Sequence, residues 1–228
     1  MRTFSTRSFS WPVISLVLEF CNVWLLITVN VARSRYFNLN ANIDNTETVL
    51  EHELVMPTAT KLEDVTGAPD YHLIPTGKIN AIAPGSPWDF KKRKAVGKDI
   101  NKGDVTAVGG YDNAWIFDDW KAGMAVRPVL TLSSPLTGIT LEMSTDQPSV
   151  QIYTGNFLNG TDTNSNDSAV RIPRKASQGG PSQYYQWRGA ITLEAQQYID
   201  AQNHPNFPSI ELKPGERYEQ HTVYKFSA

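Results

Sequence analysis

Short segments of apolar and β-branched residues, separated by turn-forming residues, follow one another along most of the chain after residue 36. Seven of them have the length and composition of strands: 54–56, 115–117, 126–132, 140–144, 150–153, 190–193 and 222–226. Pro- and Gly-containing sequences typical of turns lie between them, at 75–77, 84–87, 135–138 and 213–215. No long stretch shows helical periodicity. The pattern predicts an all-β fold, a large antiparallel β-sandwich.

The N-terminal region has a different character, because residues 12–32 form a largely apolar run preceded by Arg2 and Arg7. Its length is close to the ~20 residues of a membrane helix, but a carboxylate such as Glu19 costs about 2.5–3.5 kcal/mol in mid-bilayer. The basic start followed by an apolar run is also typical of a signal peptide. Residues 27–31 alternate with the period of a strand. The pattern therefore leaves three interpretations open: membrane segment, signal peptide and core strand.

The composition limits the classes of binding partner and the kinds of site that are expected. With 228 residues the chain is long enough for one large all-β domain, and its 21 basic and 23 acidic residues give a net charge of −2, so nucleic acid is not an expected partner. The single cysteine, Cys21, cannot form a disulfide within the chain. The four histidines, at positions 52, 72, 204 and 221, lack the i, i+4 spacing of paired metal ligands, so no metal site is predicted.

Seven groups of short strings, in a fixed order, resemble the aldose 1-epimerase family. They are YFNL at 36–39, LIPTGKI at 73–79, WDF at 88–90, GYDN at 110–113, LEMSTDQPSVQIYTGNFL at 141–158, LEAQ at 193–196 with DAQNHPNFP at 200–208, and LKPGERY at 212–218. Each string alone is weak, but their common order is specific. The resemblance covers the chain from residue 29 to its end.

The resemblance implies a β-sandwich of the galactose mutarotase type, a supersandwich, over residues 29–228, incomplete at its N-terminus, with 1–28 as an atypical apolar segment. It implies interconversion of the α and β anomers of a free aldohexose such as glucose or galactose, without a metal or organic cofactor. Family habit places such a protein in the cytoplasm. A secreted or membrane-anchored protein is expected instead if residues 12–32 act as a signal or anchor, and membrane contact is expected only through that segment.

Anomer exchange requires a base for the C1 hydroxyl proton and an acid for the ring oxygen, placed on either side of the sugar. The resemblance assigns the base to Glu216, which follows a Pro-Gly pair that makes a tight turn. It assigns binding of sugar hydroxyls to Asp112, since a carboxylate accepts hydrogen bonds from neighbouring hydroxyls. On residue types alone, Glu216 also fits an exposed turn glutamate, and Asp112 fits a turn residue bonded to its own backbone.

The family's acid histidine aligns with Ser34, whose hydroxyl is a far poorer acid than an imidazolium near neutral pH. A second family histidine, in an H-G-G string, has no match in this chain. Three hypotheses follow: an aldose 1-epimerase, a catalytically impaired carbohydrate-binding relative, or an epimerase C-terminal part whose residues 1–35 are foreign to the fold.

Overall fold

The computed structural model describes residues 27–28, 35–40, 48–66, 73–158, 172–175 and 184–228. Ser34, His72, most of the 12–32 segment and residues 159–171 and 176–183 lie outside this description. Within the described ranges the chain forms strands and short 3₁₀ helices and no α-helix.

Thirteen strands are described, and three 3₁₀ helices lie at Val96–Lys98, Gly103–Val108 and Ala201–Asn203. The strands are β1 (Ile27–Thr28), β2 (Tyr36–Phe37), β3 (Glu53–Val55), β4 (Ala59–Val65), β5 (Pro75–Ala81), β6 (Lys94–Ala95), β7 (Asp112–Phe117), β8 (Arg127–Ser133), β9 (Thr140–Thr145), β10 (Ser149–Tyr153), β11 (Ile191–Gln196), β12 (Glu211–Leu212) and β13 (Thr222–Ser227).

Two antiparallel sheets make up the body of the described fold. One has six strands in the order β2-β11-β10-β7-β4-β5, and the other has five in the order β13-β9-β8-β3-β6. A separate pair joins β1 to β12. The predicted all-β class, with two antiparallel sheets as in a sandwich, is therefore confirmed.

Side chains from both sheets form one hydrophobic core. The six-stranded sheet contributes Trp115, Ile152 and Leu193, and the five-stranded sheet contributes Leu132 and Met143. Because side chains alternate along a strand, every second residue of these strands faces this core and the others face away from it. The polar residues of the six-stranded sheet that face away from the core are therefore the ones that can contact a ligand.

All seven strands predicted from the sequence are present, within a few residues of the expected bounds. The predicted turn at 75–77 is wrong, because these residues begin β5. Strand β5 lies at the edge of its sheet, where the missing N–H of Pro75 leaves a gap in the ladder that an edge strand tolerates. Gly77 takes a positive φ of 78°, and the register with β4 shifts nearby, so the strand bends as the turn residues suggested.

The apolar N-terminal segment is described only at β1, where Ile27 pairs with Leu212 and Thr28 with Glu211. This short pairing agrees with the strand interpretation for those two residues, and the rest of the 12–32 segment lies outside the description. Among the described residues no helix is long and apolar enough to cross a membrane.

Candidate active site

The face of the six-stranded sheet that points away from the core carries two rows of polar side chains. In the first row Tyr36 pairs with Thr192, Thr192 with Tyr153, and Tyr153 with Asp112, so that the row crosses β2, β11, β10 and β7. In the second row Glu194 pairs with Gln151, and Gln151 with Ala114. We call the six polar members of these rows the polar floor: Tyr36, Asp112, Gln151, Tyr153, Thr192 and Glu194.

Asp112 is held in place by its neighbour on β10. The side-chain amide of Gln151 donates a hydrogen bond of 2.6 Å to Asp112 Oδ1. Burial raises the pKa of Asp112, the hydrogen bond from Gln151 opposes this rise, and the charge of Glu194 adds to it. The carboxylate is thus fixed in orientation and lies close enough to Glu194 for the two charges to interact.

Gln151 has a second, unused hydrogen-bonding atom. Its Oε1 is buried and has no hydrogen-bond partner among the described residues, and the same is true of Thr192 Oγ1. Buried polar atoms of folded proteins are almost always paired with protein, water or ligand. The polar floor therefore has hydrogen-bonding capacity that the described protein groups do not satisfy.

Glu194 lies directly opposite Gln151 on the neighbouring strand, where paired Cβ atoms are about 5 Å apart. Its flanking residues Leu193 and Ala195 face the core, which fixes the outward direction of Glu194. The side chain is partly exposed. It is a carboxylate next to a second, oriented carboxylate on an open surface.

Two members of the polar floor, on β2 and β10, form an aromatic group with Phe157. Tyr36 and Tyr153 meet edge to face with their centroids 6.4 Å apart, and Phe157 stacks on Tyr153 at 6.3 Å. The Tyr153 hydroxyl accepts a hydrogen bond of 2.9 Å from the Phe157 N–H. Burial, with the charges of Glu194 and Asp112, raises the pKa of Tyr36, so its phenol keeps its proton and can donate a hydrogen bond.

The described histidines lie away from the polar floor. His52 is completely buried and accepts a hydrogen bond of 2.8 Å at Nε2 from the Leu39 N–H. Burial lowers its pKa to about 4, so it is neutral with its proton on Nδ1. His204 packs against Gly77 and Phe207, and His221 Nδ1 lies 2.8 Å from Asp146. Among the described residues, therefore, no imidazole is placed to act as the acid beside Asp112 and Glu194.

Glu216 lies in the turn between β12 and β13, and its side chain is exposed. Gly215 takes a positive φ of 84°, and the Glu216 N–H donates to the Lys213 carbonyl at 3.0 Å. The Glu216 carboxylate in turn accepts a hydrogen bond of 2.8 Å from the Lys213 N–H. The turn thus directs this carboxylate back to its own backbone, and the catalytic role given to Glu216 stays a prediction.

Of the three predicted site positions, the structure places Asp112 on the polar floor and Glu216 on a turn, and Ser34 lies outside the described residues. Gln151 and Glu194 lie within the family-like strings at 141–158 and 193–196, and neither was predicted to be a site residue. A usable signal was present: each is a polar residue at the outward position of a strand whose neighbouring residues are apolar.

A cavity of about 330 Å³ lies elsewhere, beside β4, β5 and the turn at 84–87. Asp64, Asn80, Trp88 and Asn113 are among its lining residues. Asn113 follows Asp112 on β7 and therefore points to the opposite face of the sheet. This cavity is distinct from the polar floor, which is an open surface.

The family model described as Aldose 1-epimerase matches residues 26–225. Galactose mutarotase from Bos taurus is 32% identical over 203 residues, which cover 87% of this chain and 50% of that protein. Aldose 1-epimerase from Haemophilus influenzae is 31% identical over 206 residues, covering 87% of this chain and 51% of that protein.

Solved structures give the same assignment. An aldose epimerase homologue from C. elegans superposes with a TM-score of 0.64 at 26% identity, over 89% of this chain and 52% of that chain. Galactose 1-epimerase from Lactobacillus acidophilus superposes with a TM-score of 0.57 at 25% identity, over 89% of this chain and 49% of that chain. The chain spans about half the length of the curated relatives it matches. By sequence and by fold, it belongs to the aldose 1-epimerase family.

Proposed function

We propose that the polar floor binds a free aldohexose and that the protein interconverts its α and β anomers by acid/base ring opening. The observation that carries the proposal is the group formed by Asp112, Gln151 and Glu194. One carboxylate is oriented by an amide, a second lies opposite that amide, and the amide oxygen has no hydrogen-bond partner among the described residues. Relatives named galactose mutarotase and aldose 1-epimerase support the reaction class.

In this proposal Asp112 binds sugar hydroxyls, since an oriented carboxylate accepts hydrogen bonds from adjacent hydroxyl groups. The Gln151 Oε1 accepts one further hydroxyl proton. A carboxylate removes the proton from the C1 hydroxyl: the sequence resemblance names Glu216 as this base, and the position of Glu194 opposite Gln151 on the floor supports Glu194 as a second candidate. Protonation of the ring oxygen opens the ring, the aldehyde group rotates about the C1–C2 bond, and closure from the other face gives the other anomer.

The acid for the ring oxygen is expected to come from outside the described residues or from solvent. The absence of an imidazole among the described floor residues favours a second candidate function, a carbohydrate-binding protein with little or no catalysis. In that case the floor still binds the sugar, because Asp112 and Gln151 supply hydrogen bonds rather than proton transfer.

Proton NMR of freshly dissolved α-D-galactose and α-D-glucose tests the first proposal, because the anomeric signals report equilibration directly. We expect equilibration faster than in buffer, in proportion to protein concentration. An equilibration rate equal to that in buffer would contradict the proposed epimerase activity. A parallel titration with methyl β-D-galactopyranoside, which cannot mutarotate, measures binding alone. Binding without acceleration supports the carbohydrate-binding protein, and the absence of both contradicts each candidate.

A further inference from the structure

The chain that follows β11 crosses the sheet face that carries the polar floor. At one end Gln197 donates a hydrogen bond of 3.1 Å to Gln147, beside β10. Two residues later the Ile199 N–H lies 3.0 Å from the carboxyl oxygens of Glu63 on β4. Asn206 then donates a bond of 2.9 Å to the Gly77 carbonyl on β5. We call residues 197–207 the crossing segment.

The crossing segment lies over β7 next to the floor. Ala114 and Ile116 alternate with the core-facing Trp115, so both point to the floor side, yet only 1% and 3% of their surfaces are exposed. A segment that passes from β10 to β4 must cross β7 between them, and we infer that it covers these two side chains. Because Ala114 pairs with Gln151, the covered area ends where the polar floor begins.

Glu63 contacts the crossing segment near its start, at Ile199. Only 3% of its surface is exposed, although glutamate is rarely buried without a partner. Its neighbour Lys61 pairs with Asp118 at 3.0 Å instead. Burial raises the pKa of Glu63 to about 8, against a lowering by the Ile199 hydrogen bond, so the carboxyl group is largely neutral at pH 7.

We propose that Glu63 is a positioning residue, which fixes the crossing segment on β4 so that the segment forms one wall of the sugar site beside Gln151 and Glu194. The wall part of this statement rests on the proposed function, whereas the fixing of the segment does not. The motif at 200–208, one of the strings that identify the family, then serves to attach the far end of this wall.

Among the described residues, the side chains that face Glu63 carry no strong charge of their own. From the crossing segment comes Tyr198, whose pKa is raised by burial and by the charges of Glu63 and Asp118. From β5 comes Ile79, the register partner of Glu63, and from β7 the small Ala114 faces the same side. Above pH 8 the carboxyl group ionises among apolar neighbours, and the segment is expected to loosen.

Two substitutions at Glu63 separate the effect of its hydrogen-bond acceptor from the effect of its charge. Glu63→Gln keeps an oxygen that accepts the Ile199 N–H but cannot ionise, whereas Glu63→Ala removes the acceptor. Gly77→Ala loosens the far end without touching Glu63, because a Cβ there would collide with the His204 ring. Glu219→Gln is the matched control, since that carboxylate is exposed and pairs with Arg217.

Hydrogen exchange at pH 7 tests whether Glu63 holds the segment. We expect amides 197–207 to exchange about tenfold faster in Glu63→Ala than in the unchanged protein. In Glu63→Gln and Glu219→Gln they are expected to exchange within about twofold of the unchanged rate. Equally slow exchange in Glu63→Ala would overturn the proposal. If Glu63→Ala does not fold, exchange of the same amides is measured in Gly77→Ala. It is also measured from pH 7 to 9 in Glu63→Gln and in the unchanged protein, and only in the unchanged protein should the crossing segment loosen as pH rises.

Mutarotation kinetics test the wall. A lost wall raises KM for α-D-galactose, by about three- to tenfold in Glu63→Ala and Gly77→Ala, with kcat within about twofold. A merely structural role lowers the active fraction and so lowers kcat at constant KM, which would contradict the wall. The KM of the unchanged protein should rise above pH 8, and that of Glu63→Gln should not.

If the unchanged protein does not accelerate mutarotation, the dissociation constant of methyl β-D-galactopyranoside replaces KM, with the same shifts expected. If it neither accelerates the reaction nor binds that ligand, the proposed function and the wall both fail. Hydrogen exchange still decides by itself whether Glu63 fixes the crossing segment, so the two failures are distinguishable.

Discussion

Two glutamates, Glu194 and Glu216, occupy regions of the molecule that differ in almost every physical respect. Glu194 extends from β11, the second strand of the six-stranded sheet, between two core residues and opposite Gln151. Glu216 lies on an exposed turn and accepts a hydrogen bond from the Lys213 N–H of the same turn. The first is held by a rigid sheet beside a second carboxylate. The second is positioned by four residues of local chain.

The difference shows what a sheet contributes to a site. Asp112, Gln151 and Glu194 come from three strands that are separated along the sequence, and antiparallel pairing brings them together. Side chains on rigid elements can be placed more accurately than those on loops. A turn glutamate instead uses its carboxylate locally, as turn residues commonly do.

The largest effect among substitutions aimed at binding is expected for Asp112→Asn, which keeps the shape of the floor and removes its charge. We expect the affinity for methyl β-D-galactopyranoside to fall about 10- to 100-fold, since hydrogen bonds to charged groups contribute about 1.5–3 kcal/mol. NMR titration measures it. Glu216→Gln is the comparison variant and should bind as the unchanged protein does; an equal loss in both would remove the distinction between the two regions.

The pH dependence of stability should also originate in the sheet. Glu63 has a folded pKa of about 8, above its ordinary value of 4.5, so the folded state holds a proton that the unfolded state has released. The contribution of Glu63 to the free energy of unfolding is complete below pH 4.5. It is lost as pH rises to 8, at about 1.4 kcal/mol per pH unit.

His52 acts in the opposite direction, because its pKa falls from 6.5 to about 4 in the folded state and its contribution is lost as pH falls through that window. Between pH 4.5 and 6.5 the two groups offset each other. We therefore expect denaturant unfolding to give a flat region there and a decline from pH 6.5 to 8. Glu63→Gln should abolish the decline; a decline that persists in this variant would assign it to other groups.

A smaller effect is expected for Gln151→Ala, which leaves the Asp112 carboxylate without its amide donor. The pKa of Asp112 should rise further, because the hydrogen bond that lowers it is gone. Carbon-13 NMR of the aspartate carboxyl groups measures that pKa as a function of pH. Sugar affinity should fall about three- to tenfold, and an unchanged pKa would mean that Gln151 does not orient the carboxylate.

The smallest effect concerns the turn. Because Glu216 is exposed, Glu216→Ala should lower the free energy of unfolding by no more than about 0.5 kcal/mol. Urea denaturation measures this free energy for Glu216→Ala and for Gly215→Ala. The loss of stability should be larger in Gly215→Ala, because the positive φ of 84° at this position makes a side chain unfavourable. A loss of several kcal/mol in Glu216→Ala would show contacts beyond the turn.

Much of the fold could be predicted from the sequence, because alternating apolar residues and turn residues are local signals. Strand β11 is an example: the predicted strand at 190–193 overlaps its first half, and the observed strand continues through Glu194 to Gln196. Strand β4 escaped prediction because Lys61, Glu63 and Asp64 make it look like a loop. Nothing local shows that a crossing segment more than a hundred residues away buries Glu63.

The candidate site was harder to predict for the same reason. Asp112 was singled out through its motif, and the structure places it on the floor. The choice between Glu194 and Glu216 depends on cross-strand register, which pairs Glu194 with Gln151 over a gap of more than forty residues. A turn motif such as Pro214-Gly215-Glu216 gives local geometry only.

The most direct test of the central claim is the rate of α-D-galactose equilibration for Glu194→Gln and Glu216→Gln, measured side by side by polarimetry at equal protein concentration. Circular dichroism confirms that both are folded. If Glu194 is the base, Glu194→Gln loses about 10²- to 10⁴-fold of the catalysed rate, and Glu216→Gln stays within about twofold of the unchanged protein. A full rate in Glu194→Gln with a loss in Glu216→Gln would contradict the account and return the base to the turn.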